Sequence, residues 1–327
     1  KIEVKYQSRM KVPSAKLSSG HDFPFLGLGT WLAEPGVVAA AVDEALKAGY
    51  RHIDCAHAYL NQPEIGEVFN KVFNVEKSVK REDVFITSKI WNTFHSYERA
   101  KGAVDMILKE LQLEYLDLLL IHWPMGYEEG GEFFPKEGDK MRFSNEDYLD
   151  TWKALEEAVA AGKVRSIGLS NFNHKQIQRV IEHAKIKPAV LQIELHPYFQ
   201  RKQIRDFCKA NNIIITAYCS LGNNANPFRK PGDSNLLEEP AVVKIAANHS
   251  KTTAHVALRW AIQHGLHVIP KSTSAERIKS NGDVFDFELS AAEMAEIDGL
   301  EKNWQIINLK TRDSEHPHFP YKSDEDY

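Results

Sequence analysis

Along this chain two hydrophobic rhythms take turns. Short, continuous apolar runs occupy 23–29 (FPFLGLG), 50–54 (YRHID), 83–89 (DVFITSK), 115–123 (YLDLLLIHW), 164–170 (VRSIGLS), 189–195 (AVLQIEL), 213–218 (IIITAY) and 267–271 (HVIPK). Each is strand-sized. Their apolar residues follow one another instead of alternating with polar ones, as strands covered on both faces require. Between them lie amphipathic stretches of helical period at 36–49, 63–73, 97–112, 145–162, 174–184, 200–211 and 276–281. Eight strands alternating with helices over this length predict an α/β fold, either a parallel barrel or a doubly wound sheet.

Three pieces fall outside the alternation. Residues 11–26 carry an SSGHD turn and read as a hairpin ahead of the first strand. Residues 125–144, after the fourth strand, make a loop longer than a plain connection needs, and such loops usually serve function. The stretch FDFELSAAEMAEI (285–297) reads as a helix opened by a serine cap, with a glutamate three positions on.

The strand runs finish, in order, on Thr30 and Trp31, Asp54, Lys89, His122, Ser170 and Asn171, Gln192, Tyr218, and Lys271. In a barrel these ends converge on one face, the face where active sites of that fold sit. Packing alone gives no reason for a full circle of polar and aromatic ends. Tyr59 stands just past Asp54, and the four residues Asp54, Tyr59, Lys89 and His122 suggest a particular chemistry. A free phenol has a pKa of about 10. A lysine ammonium beside it would lower that value by roughly 1–3 units, with Asp54 holding the lysine charged and fixed. His122 could then orient a substrate oxygen, leaving the tyrosine to protonate it as charge builds.

Neither a G-x-S-x-G elbow nor an H-E-x-x-H pair is present, so the charge on that oxygen has to come from elsewhere. Hydride from a nicotinamide would supply it. Ser170, Asn171 and Gln192 offer hydrogen bonds for the carboxamide, and Tyr218 a ring to stack on. The stretch IPKSTSAERIKSN brings Lys271, Ser272, Ser274, Arg277 and Asn281 to a strand-to-helix junction suited to phosphates. A lysine with an arginine fits a 2′-phosphate, hence NADP over NAD. LGLG at 26–29 lacks the third glycine of a dinucleotide fingerprint.

Each residue alone has a plainer reading: Asp54 a turn cap, Tyr59 a half-buried aromatic, His122 a core histidine. Lys89 is the hardest to place as structure, because lysine is rarely buried without a partner. His52, His57 and His122 with Asp54 would suggest a metal-dependent hydrolase, but no bridging carboxylates recur at later strand ends, and no metal is expected.

Charge and composition narrow the classes. The 327 residues carry a net charge of −4, and lysines and arginines are spread among acids, so no nucleic-acid partner is expected. Cys55, Cys208 and Cys219 form neither a paired framework nor a metal spacing, which favours a reducing compartment. No run reaches the length of a membrane span, and the start lacks the apolar core of a signal peptide. A cytoplasmic protein that does not engage a membrane is expected.

The segments GLGTW, GYRHIDCAHAY, FITSKIW, LLLIHWP, IGLSNFN, QIELHPY and VIPKS, in this order, resemble the aldo-keto reductase superfamily, with the aldose and aldehyde reductase branch nearest. The resemblance runs from about Phe25 to Trp304. It implies one (β/α)8 TIM-barrel domain over 1–327, with an N-terminal β-hairpin and long substrate loops. It also implies a monomer that binds NADP(H) extended and reduces carbonyls. By matching position Tyr59 would be the acid, Lys89 and Asp54 its tuners, and His122 the orienting residue. The cofactor set would be Gly29, Thr30, Trp31, Asp54, Ser170, Asn171, Gln192, Tyr218, Cys219, Ser220 and Leu221, then Lys271, Ser272, Thr273, Ser274, Arg277 and Asn281. Rival roles on the same barrel are a nicotinamide-sensing binding module and a recruited structural protein; the intact four argue against lost chemistry in either.

Trp31, Leu60, Trp91, His122, Trp123, Phe134, Phe228, Trp304 and Ile307 are expected to wall the substrate cavity. With no arginine clamp apparent, apolar aldehydes or ketones (aromatic, terpenoid or steroid-like) fit better than sugars. One departure from the branch stands out. A lysine that follows GTW and meets an aspartate beyond the seventh strand is replaced here by Leu32 and Ala225, which predicts a looser clasp on the dinucleotide and faster release.

Overall fold

The computed structural model describes residues 10–34, 36–222, 230, 232–323 and 327. Strands β1 (Ser14–Lys16) and β2 (Asp22–Pro24) pair antiparallel as the expected hairpin. The barrel strands follow: β3 (Leu28–Gly29), β4 (His52–Asp54), β5 (Phe85–Ile90) and β6 (Leu116–Ile121). A small antiparallel pair, β7 (Lys136–Glu137) and β8 (Lys140–Met141), sits in the long loop. Then come β9 (Val164–Ser170), β10 (Val190–Glu194), β11 (Ile214–Tyr218) and β12 (His267–Val268).

The large sheet runs β12-β11-β10-β9-β6-β5-β4-β3, all parallel. Parallel bridges from Leu26 to Val268 and from Gly29 to Lys271 join its two edges. That closure decides between the two architectures in favour of the barrel. β12 is shorter than its apolar run because Pro270 has no N–H to give the ladder.

Helices α1 (Val38–Ala48), α2 (Gln62–Asn70), α3 (Tyr97–Glu110), α4 (Tyr148–Ala160), α5 (His174–His183) and α6 (Lys202–Ala210) follow successive barrel strands, as the pattern predicts. Two helices the pattern did not reveal, α7 (Pro240–Asn248) and α8 (Thr253–Gln263), separate β11 from β12. In α8 the consecutive residues from His255 to Ala261 are all buried, so no polar stripe marks its period. After β12 come α9 (Ala275–Asn281), α10 (Ala291–Asp298) and the short α11 (Lys310–Asp313). Ser290 and Glu293 form the expected capping box on α10.

The hairpin seals the barrel end opposite the strand carboxyl ends. Phe23 is fully buried, stacks on His267 at 4.4 Å and meets His52 edge-on at 5.0 Å. Burial holds these imidazoles neutral, pushing His52 down to about 3 and His267 to about 4. The chemistry is thereby left to the open end.

Candidate active site

Asp54 closes β4, and every oxygen it presents is taken. Lys89 Nζ, from β5, donates to Asp54 Oδ2 at 2.8 Å, and Gln192 Nε2, from β10, donates to Oδ1 at 2.8 Å. Thr30 Oγ1 donates to the Asp54 carbonyl at 2.8 Å. Three strands thus converge on one buried carboxylate. Lys89 is fully buried, and its ammonium also reaches the Cys55 carbonyl at 2.8 Å and the Tyr59 hydroxyl at 3.3 Å. A buried ammonium needs such partners, and here it has three.

Tyr59 ends the 3-10 turn His57–Tyr59 that follows β4. Asn61 fastens the far side of the turn by donating to the Thr30 carbonyl at 3.0 Å. The Tyr59 and His122 rings meet edge-on at 5.8 Å, and Trp91 abuts His122 at 5.4 Å. Burial, and after it Lys89, hold the His122 imidazole well below its usual pKa, so it is neutral. Its Nδ1 has no hydrogen-bond partner among the described residues.

The phenol behaves differently from the expectation of a lowered pKa. Burial, and after it the Asp54 carboxylate, push Tyr59 well above the ordinary value. Lys89 does not reverse this, because its charge is already matched by Asp54.

These side chains open into a cavity of about 470 Å³. Gly29, Thr30, Trp31, Tyr59, Trp91, His122, Trp123 and Phe134 line one part of it. Ser170 and Asn171 at the end of β9, Gln192 within β10 and Tyr218 at the end of β11 line another, followed by Cys219, Ser220 and Leu221. Asn171 and Tyr218 are tied together, the Tyr218 hydroxyl donating to Asn171 Oδ1 at 2.7 Å. Asn171 Nδ2 in turn reaches the His122 carbonyl at 2.9 Å and Ser170 Oγ at 3.0 Å. Lys271 and Arg277 stand at the remaining side. Burial, and after it Arg277, lower the Lys271 pKa.

Several expected wall residues lie elsewhere. Leu60 has φ of 55° and is 69% exposed, so the left-handed turn after Tyr59 points it to solvent. Trp304 packs on Tyr198 and His196 at 6.0 and 6.1 Å, away from the cavity. Ser272, Thr273, Ser274 and Asn281 do not line the cavity either. Ser274 instead caps α9 by accepting from the Arg277 N–H, and Ser272 Oγ accepts from the Ser274 N–H. Phe228 lies outside the described residues, as does Ala225. Leu32 is exposed, and its carbonyl accepts from Lys271 Nζ at 3.0 Å.

Other wall residues escaped the pattern because no strand end marks them: Ala58, Leu237 and Arg312; Ile269 and Pro270 lie within the eighth apolar run, and Leu309 follows Ile307 in the tail. Arg312, in addition to the expected Arg277, bears on the expectation that no arginine clamp is present. Its guanidinium is already engaged by Asp313 at 2.7 and 2.9 Å and by the Tyr127 hydroxyl at 2.6 Å.

Among the described residues no three His, Cys, Asp or Glu side chains gather as metal ligands. His52, one layer below Asp54, is bound to Thr87 at 3.1 Å instead. Likewise, no described helix is long and apolar enough to cross a membrane.

Comparison with known proteins agrees with this geometry. The model of the family described as "Aldo/keto reductase family" matches residues 26–302. Aldo-keto reductase family 1 member A1 of Mus musculus is 45% identical over 321 residues, covering 95% of this chain and 99% of the relative. The Homo sapiens protein of that name is 45% identical over 314 residues, covering 93% and 97%. The solved aldose reductase of Schistosoma japonicum superposes with a TM-score of 0.89 at 44% identity, over 95% of this chain and 99% of that one.

The chain belongs to the aldo/keto reductase family. It is an oxidoreductase of the aldehyde reductase type, working with a nicotinamide cofactor on carbonyl compounds. The residues present fit such a cofactor. Ser220 Oγ, buried in the cavity wall, has no hydrogen-bond partner among the described residues. Nothing larger than glycine fits at 29, where a Cβ would lie 2.6 Å from the Ile269 carbonyl. The aldo/keto reductase site therefore presents the unmet Ser220 hydroxyl and two cationic side chains, Lys271 and Arg277, to the cavity, while Gly29 lets the first and last strand runs approach closely.

Proposed function

We propose that this chain reduces aldehydes and ketones to alcohols with NADPH, and that Tyr59 delivers the proton. The observation that carries the reading is the convergence of Tyr59, Lys89, Asp54 and His122 in the cavity, with Lys89 Nζ 3.3 Å from the phenol and 2.8 Å from the carboxylate. When bound, the cofactor supplies hydride to the carbonyl carbon. The chain's own residues handle the oxygen. Neutral His122 and the Tyr59 hydroxyl flank the place where that oxygen would sit. The phenol, protonated across the physiological range, gives its proton as the oxygen gains charge. Lys89 stabilises the phenolate that this leaves, and Asp54 keeps Lys89 in place.

Ser170, Asn171 and Gln192 would hold the carboxamide, Tyr218 the ring face, and Lys271 with Arg277 the 2′-phosphate, which favours NADP(H). Trp31, Trp91, Trp123, Phe134, Ile307 and Leu309 make the remaining wall largely apolar, which suits aromatic, terpenoid or steroid-like carbonyls. The chain is taken as a single-domain cytoplasmic monomer.

The test is carbonyl-dependent loss of NADPH absorbance across aromatic, terpenoid, keto-steroid and carboxylate-bearing aldehydes, the last because Arg312 lines the cavity. Apolar carbonyls should turn over fastest, and Arg277→Ala should weaken NADPH by about 10- to 100-fold while changing NADH little. No turnover of any carbonyl, or equal losses for both cofactors, would contradict the reading.

A further inference from the structure

Glu194, at the end of β10, and His196 are both fully buried, and neither belongs to the catalytic group. Glu194 Oε1 accepts from the Ile306 N–H and Oε2 from the Ile307 N–H, each at 2.7 Å. The His196 Nε2 lies 2.9 Å from Oε1. With a proton on Nε2, His196 donates to that oxygen. Its Nδ1 is left without a partner.

A buried carboxylate is costly unless its hydrogen bonds are complete, and this one spends both oxygens on two successive amides of a segment with no helix or strand of its own. Ile307 is the consequence. It is 8% exposed, lines the cavity, and packs in one apolar cluster with Trp91 and Trp123. On the barrel side Glu194 is paired in register with Tyr218, whose hydroxyl holds Asn171. The same carboxylate thus ties the floor of the cavity to its C-terminal wall.

We infer that Glu194 is a specificity-determining positioning residue: it clamps the 306–307 backbone so that Ile307 forms a fixed apolar wall for bulky carbonyl substrates. This rests on reading the cavity as the carbonyl site. Its action passes through Ile307 and leaves the proton donor untouched, so it acts on substrates large enough to reach that wall.

The experiment joins deuterium exchange to kinetics. In the wild type the Ile306 and Ile307 amides should exchange at least about tenfold more slowly than those of the flanking irregular residues. Glu194→Gln keeps the shape but turns an amide donor toward a backbone donor, and should erase that protection. With it, kcat/KM for a bulky aromatic aldehyde should fall about tenfold or more, mainly through KM, while a short aliphatic aldehyde stays within twofold. Ile307→Ala should reproduce the substrate bias while leaving the Ile306 amide protected. Unprotected amides in the wild type overturn the clamp even if the glutamine variant does not fold. Equal losses on both aldehydes, or no bias from Ile307→Ala, overturn the specificity role. A wild type that reduces neither aldehyde refutes the carbonyl reading instead, and the exchange rates still judge the clamp.

Discussion

At the Tyr59 hydroxyl two influences compete. Lys89 lies 3.3 Å away and favours the phenolate, while burial and the Asp54 carboxylate favour the neutral phenol and win. A phenol so raised is a weaker acid, but its acceptor is more basic still. An alkoxide is a stronger base than a phenolate, so transfer from a neutral phenol still runs downhill. His122 is displaced the other way, with burial and then Lys89 keeping it neutral. Tyr59 therefore deprotonates only well above pH 10, and His122 protonates only well below pH 6.5. The rate of carbonyl reduction should be level from about pH 6.5 to 9, as measured by kcat/KM in overlapping buffers. A limb of unit slope with its midpoint between 7 and 9 would contradict this assignment of protonation states. All four of these side chains were legible in the sequence because each ends, or closely follows, a buried apolar run. Leu60 was misread because nothing in its neighbours announces the positive φ that turns it outward. Arg312 was missed although Ile307 of the same tail was expected there, because no period in the tail marks which of its side chains turn to the cavity.

Among the elements, the contact between α2 and α3 shows how a helix pair reaches the site. Gly66 stands where a Cβ would lie 2.3 Å from the Glu110 carbonyl and 2.9 Å from the Leu111 carbonyl carbon. That close approach aligns Glu110, whose carboxylate accepts from Gln62 at 2.6 Å and lies 3.1 Å from His57 Nδ1, in the turn that carries Tyr59. Gln62 in turn accepts from Ser88, the neighbour of Lys89, at 2.5 Å. Alanine at 66 would gain about 1 kcal/mol of helix propensity but must push two backbones apart. Gly66→Ala should lower stability by a net of about 1–3 kcal/mol in urea unfolding. An equal or raised midpoint would mean that the helices separate freely. The glycine itself was visible in the sequence, but its partner 44 residues on was not. The same holds for α8. Its position could not be read from periodicity, because it is buried on nearly every side, whereas α7 does bury Val242, Ile245 and Ala246 at helical spacing.

Over the whole molecule, eight apolar runs in order predicted either a parallel barrel or a doubly wound sheet, the family resemblance implied the barrel, and bridges between its first and last strands complete it. The hairpin and buried imidazoles close one end and leave the other to chemistry. The return of the tail, expected through Trp304 and Ile307, rests on long-range contacts that the chain order does not show. Glu194 holds residues 306 and 307, Tyr127 bonds Asp313 at 2.8 Å, and Asn173 reaches the Pro320 carbonyl at 3.0 Å. Together these contacts carry Ile307, Leu309 and Arg312 to a site built by strands far earlier in the chain. The expected looseness from Leu32 and Ala225 concerns a loop whose second member lies outside the described residues.

The central claim is that one hydroxyl, Tyr59, supplies the proton to a site assembled by all eight strands. Tyr59→Phe removes that oxygen and leaves the ring against His122. Single-turnover reduction of an aromatic aldehyde, measured with NADPH affinity by fluorescence titration, tests it most directly. The account predicts a fall in the reduction rate of about 10²- to 10⁴-fold, with NADPH affinity within twofold of wild type. A variant that keeps more than about a tenth of the wild-type rate would show that the proton comes from another group.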